Sequence, residues 1–339
     1  MKSVLALVTG HHRVVSLLSS AAARVSLPPT LLFVGQSGVG KFVVARALAQ
    51  VLNCLEPVST DALPLDACGR CRSCDRIARG LHVDVAVLEP DDKASIKTDV
   101  VRDVLERVGY RPFEGRKRVV IIREADALEP QAQNALLKSL EEPPSSTMFI
   151  LTTAVPGTLL PTVQSRCMRM RFGRLTEAEV THILVREGAV TEADARLAAA
   201  LADGSAGAAL ALASADLAVL RELAFQLLRV AGHTSATTLR LQAAATLANV
   251  KPKVDRSRDE LGLILRMAAS MLRDIELLNV GGDATVVANA THRDELAELS
   301  RSYAGSRARD AFATVDRALA ALERNAGTKV VADWVATQI

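Results

Sequence analysis

At 339 residues the chain is too long for one compact core, so two or three domains are expected. Its 49% hydrophobic and 23% charged residues suit a soluble globular protein, and a formal net charge of +3 excludes the strong basic excess of a chain that grips DNA by its own phosphate contacts. Aromatic residues are only 3%, and the abundance of Ala and Leu favours helix, above all late in the chain. The apolar run Val4–Val8 is too short for a signal peptide and is cut by His11, His12 and Arg13, the two histidines being expected to face solvent. No stretch approaches the roughly 20 apolar residues of a membrane span, so a cytoplasmic chain is expected.

In chain order, residues 14–25 predict a helix stopped by Pro28 and Pro29, and the apolar run 31–34 predicts a buried parallel strand. A Gly-rich turn leads into a helix over 41–53. After a cysteine-rich insert, Val83, Val85 and Val87 alternate as in a strand, and Thr98 is placed as N-cap of a helix through Val108. Strands are predicted at 119–122 and 148–151, with a helix between them from Pro130, halted by Pro143 and Pro144. Strands alternating with helices imply a parallel sheet covered on both faces, ending near Phe172-Gly173-Arg174. Beyond it only helices are expected: 176–187, 191–202, one from 204, then longer ones over 218–230, 235–248, 258–278 and 304–324. The fold class is therefore an α/β P-loop domain followed by helical domains.

Gly35-Gln36-Ser37-Gly38-Val39-Gly40-Lys41-Phe42 matches a P-loop at every fixed position except the last. Gly35, Gly38 and Gly40 let backbone N–H groups wrap phosphate oxygens, and Lys41 would reach the terminal phosphates. The last position should be Ser or Thr to hold Mg²⁺, and Phe42 has no ligand atom. The strand at 119–122 should end in a carboxylate for the same ion but runs into Arg123, with Glu124 after it and Asp126 expected to point elsewhere. Occupancy by ATP or ADP is left open by the residues, Mg²⁺ is not expected, and neither is hydrolysis.

Cys54, Cys68, Cys71 and Cys74 form C-x13-C-x2-C-x2-C. Two overlapping C-x2-C steps bring thiolates close enough to share one tetrahedral ion, with Cys54 supplying the fourth sulfur from the end of the P-loop helix. Four thiolates leave no open coordination position, so a structural Zn²⁺ is expected. The flanks lack aromatic residues that would stack on bases, which weighs against a stand-alone zinc-dependent DNA-binding protein. Arg116-Lys117-Arg118 is a solvated loop before a strand rather than a DNA patch.

With these motifs in place, the P-loop helix running into Cys54, the cysteine knuckle, Arg111-Pro112-Phe113-Glu114-Gly115, the run Asn134 to Pro144 (NALLKSLEEPP), Ser165-Arg166-Cys167 and Glu323-Arg324-Asn325-Ala326 together resemble the bacterial clamp-loader subunits. The resemblance covers nearly the whole chain. It implies an AAA+ domain over 1–174 with an inserted zinc module at 54–74, a small helical lid over 175–215, and a helical collar over 216–339. It also implies a hetero-pentamer with gamma/tau and delta subunits, which meets the sliding clamp and primer-template DNA through the complex.

Two subunits of that family share this layout, one a motor. The motor resembles a full P-loop ATPase, with an arginine where Gly207 aligns here. Phe42, Arg123 and Gly207 alter three parts of the hydrolytic apparatus, while Ser165-Arg166-Cys167 is intact. In the family that arginine projects into a neighbour's ATP site, so Arg166 is the expected arginine finger, acting in trans, with Ser165 and Cys167 fixing its turn. The resemblance thus implies a non-hydrolysing stator, and the competing expectation is a divergent gamma/tau-like ATPase with weak turnover. Thr152 or Thr153 stands where the motor senses the γ-phosphate.

Overall fold

The protein is described by a computed structural model over residues 4–60, 62–91, 95–188, 191–213, 217–234, 236–248, 257–281, 289, 292–323 and 326–339. It forms two compact units, residues 1–179 with 204–207, and residues 180–203 with 208–339.

In the first unit, β1 (Thr30–Val34), β2 (Val85–Leu88), β3 (Arg118–Ile122), β4 (Thr147–Thr153) and β5 (Met168–Arg171) make one parallel sheet in the order β2-β3-β4-β1-β5. Successive strand residues point to opposite faces, and both faces are apolar because both are covered. Leu31, Phe33, Val119, Ile121 and Ile150 pack against α1 (His12–Ala23), α2 (Lys41–Asn53) and α3 (Arg72–Ala78). Leu32, Val120, Ile122, Phe149 and Leu151 pack against α4 (Thr98–Val108), α5 (Pro130–Glu141) and α6 (Pro161–Gln164).

Three local departures from the sequence reading have physical causes. Strand β5 was not expected: Met168-Arg169-Met170-Arg171 alternates on a sheet edge, so only Met170 is buried. Thr98 is not the N-cap of α4 but its first residue, and its buried hydroxyl has no hydrogen-bond partner. Strand β2 begins at Val85 rather than Val83, and Val83 and Val87 are exposed rather than alternating into the core, because β2 is an edge strand and Asp84 is committed elsewhere.

That commitment organises the amino-terminal edge of the sheet. The Asp84 carboxylate, buried just before β2, accepts hydrogen bonds from the N–H groups of Phe113 (2.8 Å), Glu114 (2.9 Å) and Gly115 (2.8 Å), and from Arg118 (3.1 Å). Burial pushes the carboxyl up, but these donors outweigh it and hold it at about 2. Arg118 is thereby drawn from the basic run 116–118 into the fold, and Lys117 donates to the carbonyl of Ser145 (2.5 Å).

The second unit is helical. It contains α8 (Glu192–Leu201), α10 (Leu217–His233), α11 (Thr237–Ala248), α12 (Ser257–Asn279), α13 (Arg293–Ser300), α14 (Arg307–Glu323) and α15 (Thr328–Gln338), with most of α7 (Glu177–Arg186) and part of α9 (Ala206–Ala213). Helices α13 and α15 were not expected, and Asp216, Arg324 and Asn325 lie outside the described residues. Helix α12 buries Leu261, Ile264, Leu265, Ala268, Met271, Leu272 and Ile275, a stripe at helical spacing. Tyr303, fully buried, donates its hydroxyl to the carbonyl of Leu228 (2.8 Å), and Arg240 donates to the carbonyls of Ala231, Thr234 and Thr337. Among the described residues no helix is long and apolar enough to cross a membrane.

Asp84 carries a testable consequence. A carboxyl held at about 2 stabilises the fold above its unfolded value, and that contribution is lost as pH falls through the folded one. Asp84→Asn should cost about 2–3 kcal/mol at neutral pH, read by urea unfolding. The gap to wild type should close between pH of about 4 and about 2.

Candidate functional site

Strand β1 lies between β4 and β5, so its carboxyl end opens at the point where chain order reverses across the sheet, the usual ligand crevice of open α/β folds. The loop 35–40 emerges there and Gly40 caps α2 in the left-handed conformation. Lys41 is turned back on this loop: its ammonium donates to the carbonyls of Gly35 (2.5 Å) and Gln36 (2.7 Å). Burial pushes its pKa down, partly offset by the charges of Asp126 and Glu124. His11 does not simply face solvent. Its Nε2 is 2.8 Å from the carbonyl of Val39, which can only accept, so Nε2 carries the proton, and the ring packs edge-on against Phe172.

A second segment of the same unit closes on the loop. Ser205 donates its hydroxyl to the carbonyl of Ser37 (3.0 Å), and the N–H of Gly207 donates to the carbonyl of Gly38 (2.9 Å). A Cβ at 207 would lie 2.9 Å from the Cα of Gly38, so this backbone-to-backbone approach requires glycine at 207. Position 207, where the resemblance implies an arginine in the motor, is thus filled here by main chain packed on the phosphate loop.

The two expected magnesium-ligand positions are also joined. The Arg123 guanidinium lies over the Phe42 ring, 5.3 Å from its centre, with Arg46 at 5.7 Å. Arg123 pairs with Glu89 (3.1 Å) and with Glu124 (3.5 Å). Glu124 adopts a left-handed backbone (φ 52°), donates its N–H to the Thr152 hydroxyl (3.2 Å), and turns its side chain to Arg123. The Thr153 hydroxyl donates to Asp126 (2.7 Å). The hydroxyls of both threonines are therefore engaged within the sheet's own end.

The four cysteines do converge. Sγ of Cys54 is 3.6 Å from that of Cys68 and 4.0 Å from that of Cys71, and all four sulfurs lie within 4.8 Å of one another. A tetrahedral ion with bonds of about 2.3 Å spaces its sulfurs by about 3.8 Å, so the cluster fits one ion. The N–H of Cys68 donates to Sγ of Cys54 and that of Cys71 to Sγ of Cys68, each at 3.3 Å. Burial pushes the Cys71 thiol up, but hydrogen bonds from the backbone of Cys74 and Leu55 bring it down to about 6. Burial raises Cys54 and Cys74. Cys54, Cys68 and Cys74 belong to the core beneath α2, and Gln50 on α2 donates to the carbonyl of Cys74 (2.8 Å). Helix α3, which begins at the knuckle, reaches Glu114 through Arg72 and Arg76.

Arg166 sits between α6 and the edge strand β5. Its carbonyl accepts from the Thr30 hydroxyl (2.6 Å), its N–H donates to the carbonyl of Val163 (3.2 Å), and Cys167 is buried beside it. Burial pushes the Cys167 thiol to about 11, so it stays a neutral packing residue. Ser165 is exposed and donates to the carbonyl of Thr162 (3.2 Å). Sequence reasoning missed Gln164, which anchors this turn by donating to the carbonyls of Pro156 and Leu159, each at 2.9 Å.

A parallel sheet ordered β2-β3-β4-β1-β5, with a Gly-rich phosphate loop between β1 and α2, defines a P-loop α/β fold. Residues 10–176 match the family described as DNA polymerase III, delta subunit. The tau/gamma subunit of DNA polymerase III from Haemophilus influenzae is 36% identical over 184 residues, 53% of this chain and 26% of that protein. Subunit delta' from Escherichia coli is 38% identical over 200 residues, 58% of each chain. Subunit delta' from Pseudomonas aeruginosa is 37% identical over 155 residues, 45% of this chain and 46% of the relative. The aligned parts thus span 26% to 58% of these relatives. The matched region, residues 10–176, makes this chain a relative of the clamp-loader subunits of DNA polymerase III.

Two measurements probe these sites. Gly207→Ala should push the 204–207 segment off the loop, seen as faster exchange of the amide at position 207, which donates to the Gly38 carbonyl, with the sheet amides unchanged. In metal-free protein Cys71 should be alkylated first among the four cysteines, with a rate that falls as pH drops through about 6. Adding the metal should abolish that reaction.

Proposed function

We propose that this chain is a delta-prime subunit: a non-hydrolysing stator of the clamp loader that presents Arg166 to the ATP site of a neighbouring motor subunit. The observation that carries the reading is the joint replacement of both magnesium-ligand positions by the Phe42–Arg123 contact, beside an intact Ser165-Arg166-Cys167 turn. Without a ligand for Mg²⁺ the chain's own loop lacks the metal that bridges the phosphates and offsets charge on a transferred phosphoryl group. Lys41 bonded to its own loop, and Gly207 packed on Gly38, support the same conclusion.

In this reading Arg166 neutralises charge that grows on the neighbour's γ-phosphate, while Gly35, Gly38, Gly40 and Lys41 keep the shape of a phosphate loop without turning over ATP. The four cysteines hold a structural Zn²⁺, the ion best suited to four thiolates in tetrahedral array. The organisation is an AAA+ domain over 1–174, a lid over 175–215 and a collar over 216–339. Through the collar the chain joins gamma/tau and delta subunits in a hetero-pentamer that places the sliding clamp on primer-template DNA in the cytoplasm.

The experiment is clamp- and DNA-stimulated ATPase of the reconstituted loader with wild-type chain or Arg166→Ala. Loss of a finger should slow the served site by on the order of 10³-fold with assembly intact. Unchanged turnover would remove the role. The purified chain alone should show no Mg²⁺-dependent hydrolysis, and turnover abolished by Lys41→Ala would favour the motor reading instead.

A further inference from the structure

The Arg166 guanidinium is engaged by its own chain. One terminal nitrogen donates to the carbonyl of Thr162 (3.0 Å), and the other lies 3.3 Å from the carboxylate of Glu141 at the end of α5. The third group, Nε–H, is buried with no acceptor. The backbone is held separately, by Thr30, by Val163 and by burial of Cys167. The turn is thus firmly built, and the cation at its tip is held by contacts of a different strength. Arg166 is 30% exposed and Glu141 60%, the regime in which an ion pair is weak and screened by salt.

A guanidinium whose charge is already matched by a carboxylate adds little to a neighbour's phosphate. A carboxylate that travelled with it would repel the phosphate. For Arg166 to act in trans it must leave Glu141. The resting pose is poised for that exchange, because a buried N–H without an acceptor is unfavourable and the fork of five donors suits phosphate oxygens better than one exposed carboxylate. We propose that Glu141 is a positioning residue that parks Arg166 on its own chain until a neighbour's phosphate competes for it. The functional half of this rests on the finger reading above; the parking itself does not.

Two arms test it. In the isolated full-length chain, the side-chain Nε–H of Arg166 is followed by NMR relaxation and solvent exchange, in wild type and in Glu141→Gln. Parking requires greater side-chain motion and faster exchange in the variant, with the Val163 and Cys167 amides unchanged. Equal motion in both would overturn it, whatever Arg166 does in the ring. In the reconstituted loader, Glu141→Gln should raise ATP turnover at low ATP about two- to fivefold, the scale set by one exposed ion pair. The gain should shrink at high salt and vanish in an Arg166→Ala background. A fall in turnover would show that Glu141 aims the arginine in the reacting state and would sink the parking role, as would a gain that survives in Arg166→Ala. If Arg166→Ala alone leaves turnover unchanged, the finger reading fails, and the NMR arm still decides whether Glu141 holds the side chain.

Discussion

Phe42 lies in the first turn of the helix after the phosphate loop and Arg123 follows β3, and the Arg123 guanidinium lies over the Phe42 ring. Their two positions are where a P-loop enzyme assembles its metal ion. A cation anchored there by a π face and by Glu89 and Glu124 excludes a second cation by charge as well as by volume. Neither substitution alone would have this effect: Phe42 by itself removes one ligand, and Arg123 by itself would be a surface charge. In the proposed reading no metal has to be served, so nothing requires Glu124 to face the loop, and its carboxylate pairs with Arg123. Gly207 completes the change, since main chain now lies against Gly38 where the aligned arginine would need room.

Stability at the opposite edge of the sheet comes from one connected polar structure. The cysteine cluster leads into α3, α3 holds Glu114 through two arginines, and the loop that carries Glu114 is shaped by three amide bonds to Asp84. The cysteine module is therefore part of the core under α2 rather than an appended finger, which is why its sulfurs are mostly buried. The sheet that carries Arg166 is thus braced by its own side chains, which is what the proposed stator role would need.

The sheet was legible because its buried strands are continuous apolar runs between glycines and prolines, and the metal site because cysteine spacing alone limits where four sulfurs can meet. What escaped the sequence was whatever rested on tertiary partners. Strand β5 alternates Met and Arg and is a strand only because β1 lies beside it. Thr98 has the chemistry of a cap, yet the chain enters α4 one residue earlier. His11 looked like a surface residue until the loop carbonyl of Val39 came within reach. The pairing of Phe42 with Arg123 joins residues 81 positions apart in number, and no local pattern announces it.

A residue that is to act on another subunit, as proposed for Arg166, faces opposed demands. Its backbone has to be placed to within a fraction of an ångström, or the guanidinium arrives at the wrong oxygen. Its side chain has to be mobile, or it cannot exchange an internal partner for the phosphate. The turn at 165–167 meets the first demand with the Thr30 bond, the Gln164 anchors and the buried Cys167. It meets the second by leaving the guanidinium on Thr162 and Glu141 alone, one a neutral carbonyl and the other an exposed carboxylate. Had the carboxylate been buried, releasing the arginine would strand an unpaired charge at a cost of several kcal/mol. Placing Glu141 at the solvated end of α5 avoids that cost, and so keeps the energy of letting go small compared with what a phosphate can offer.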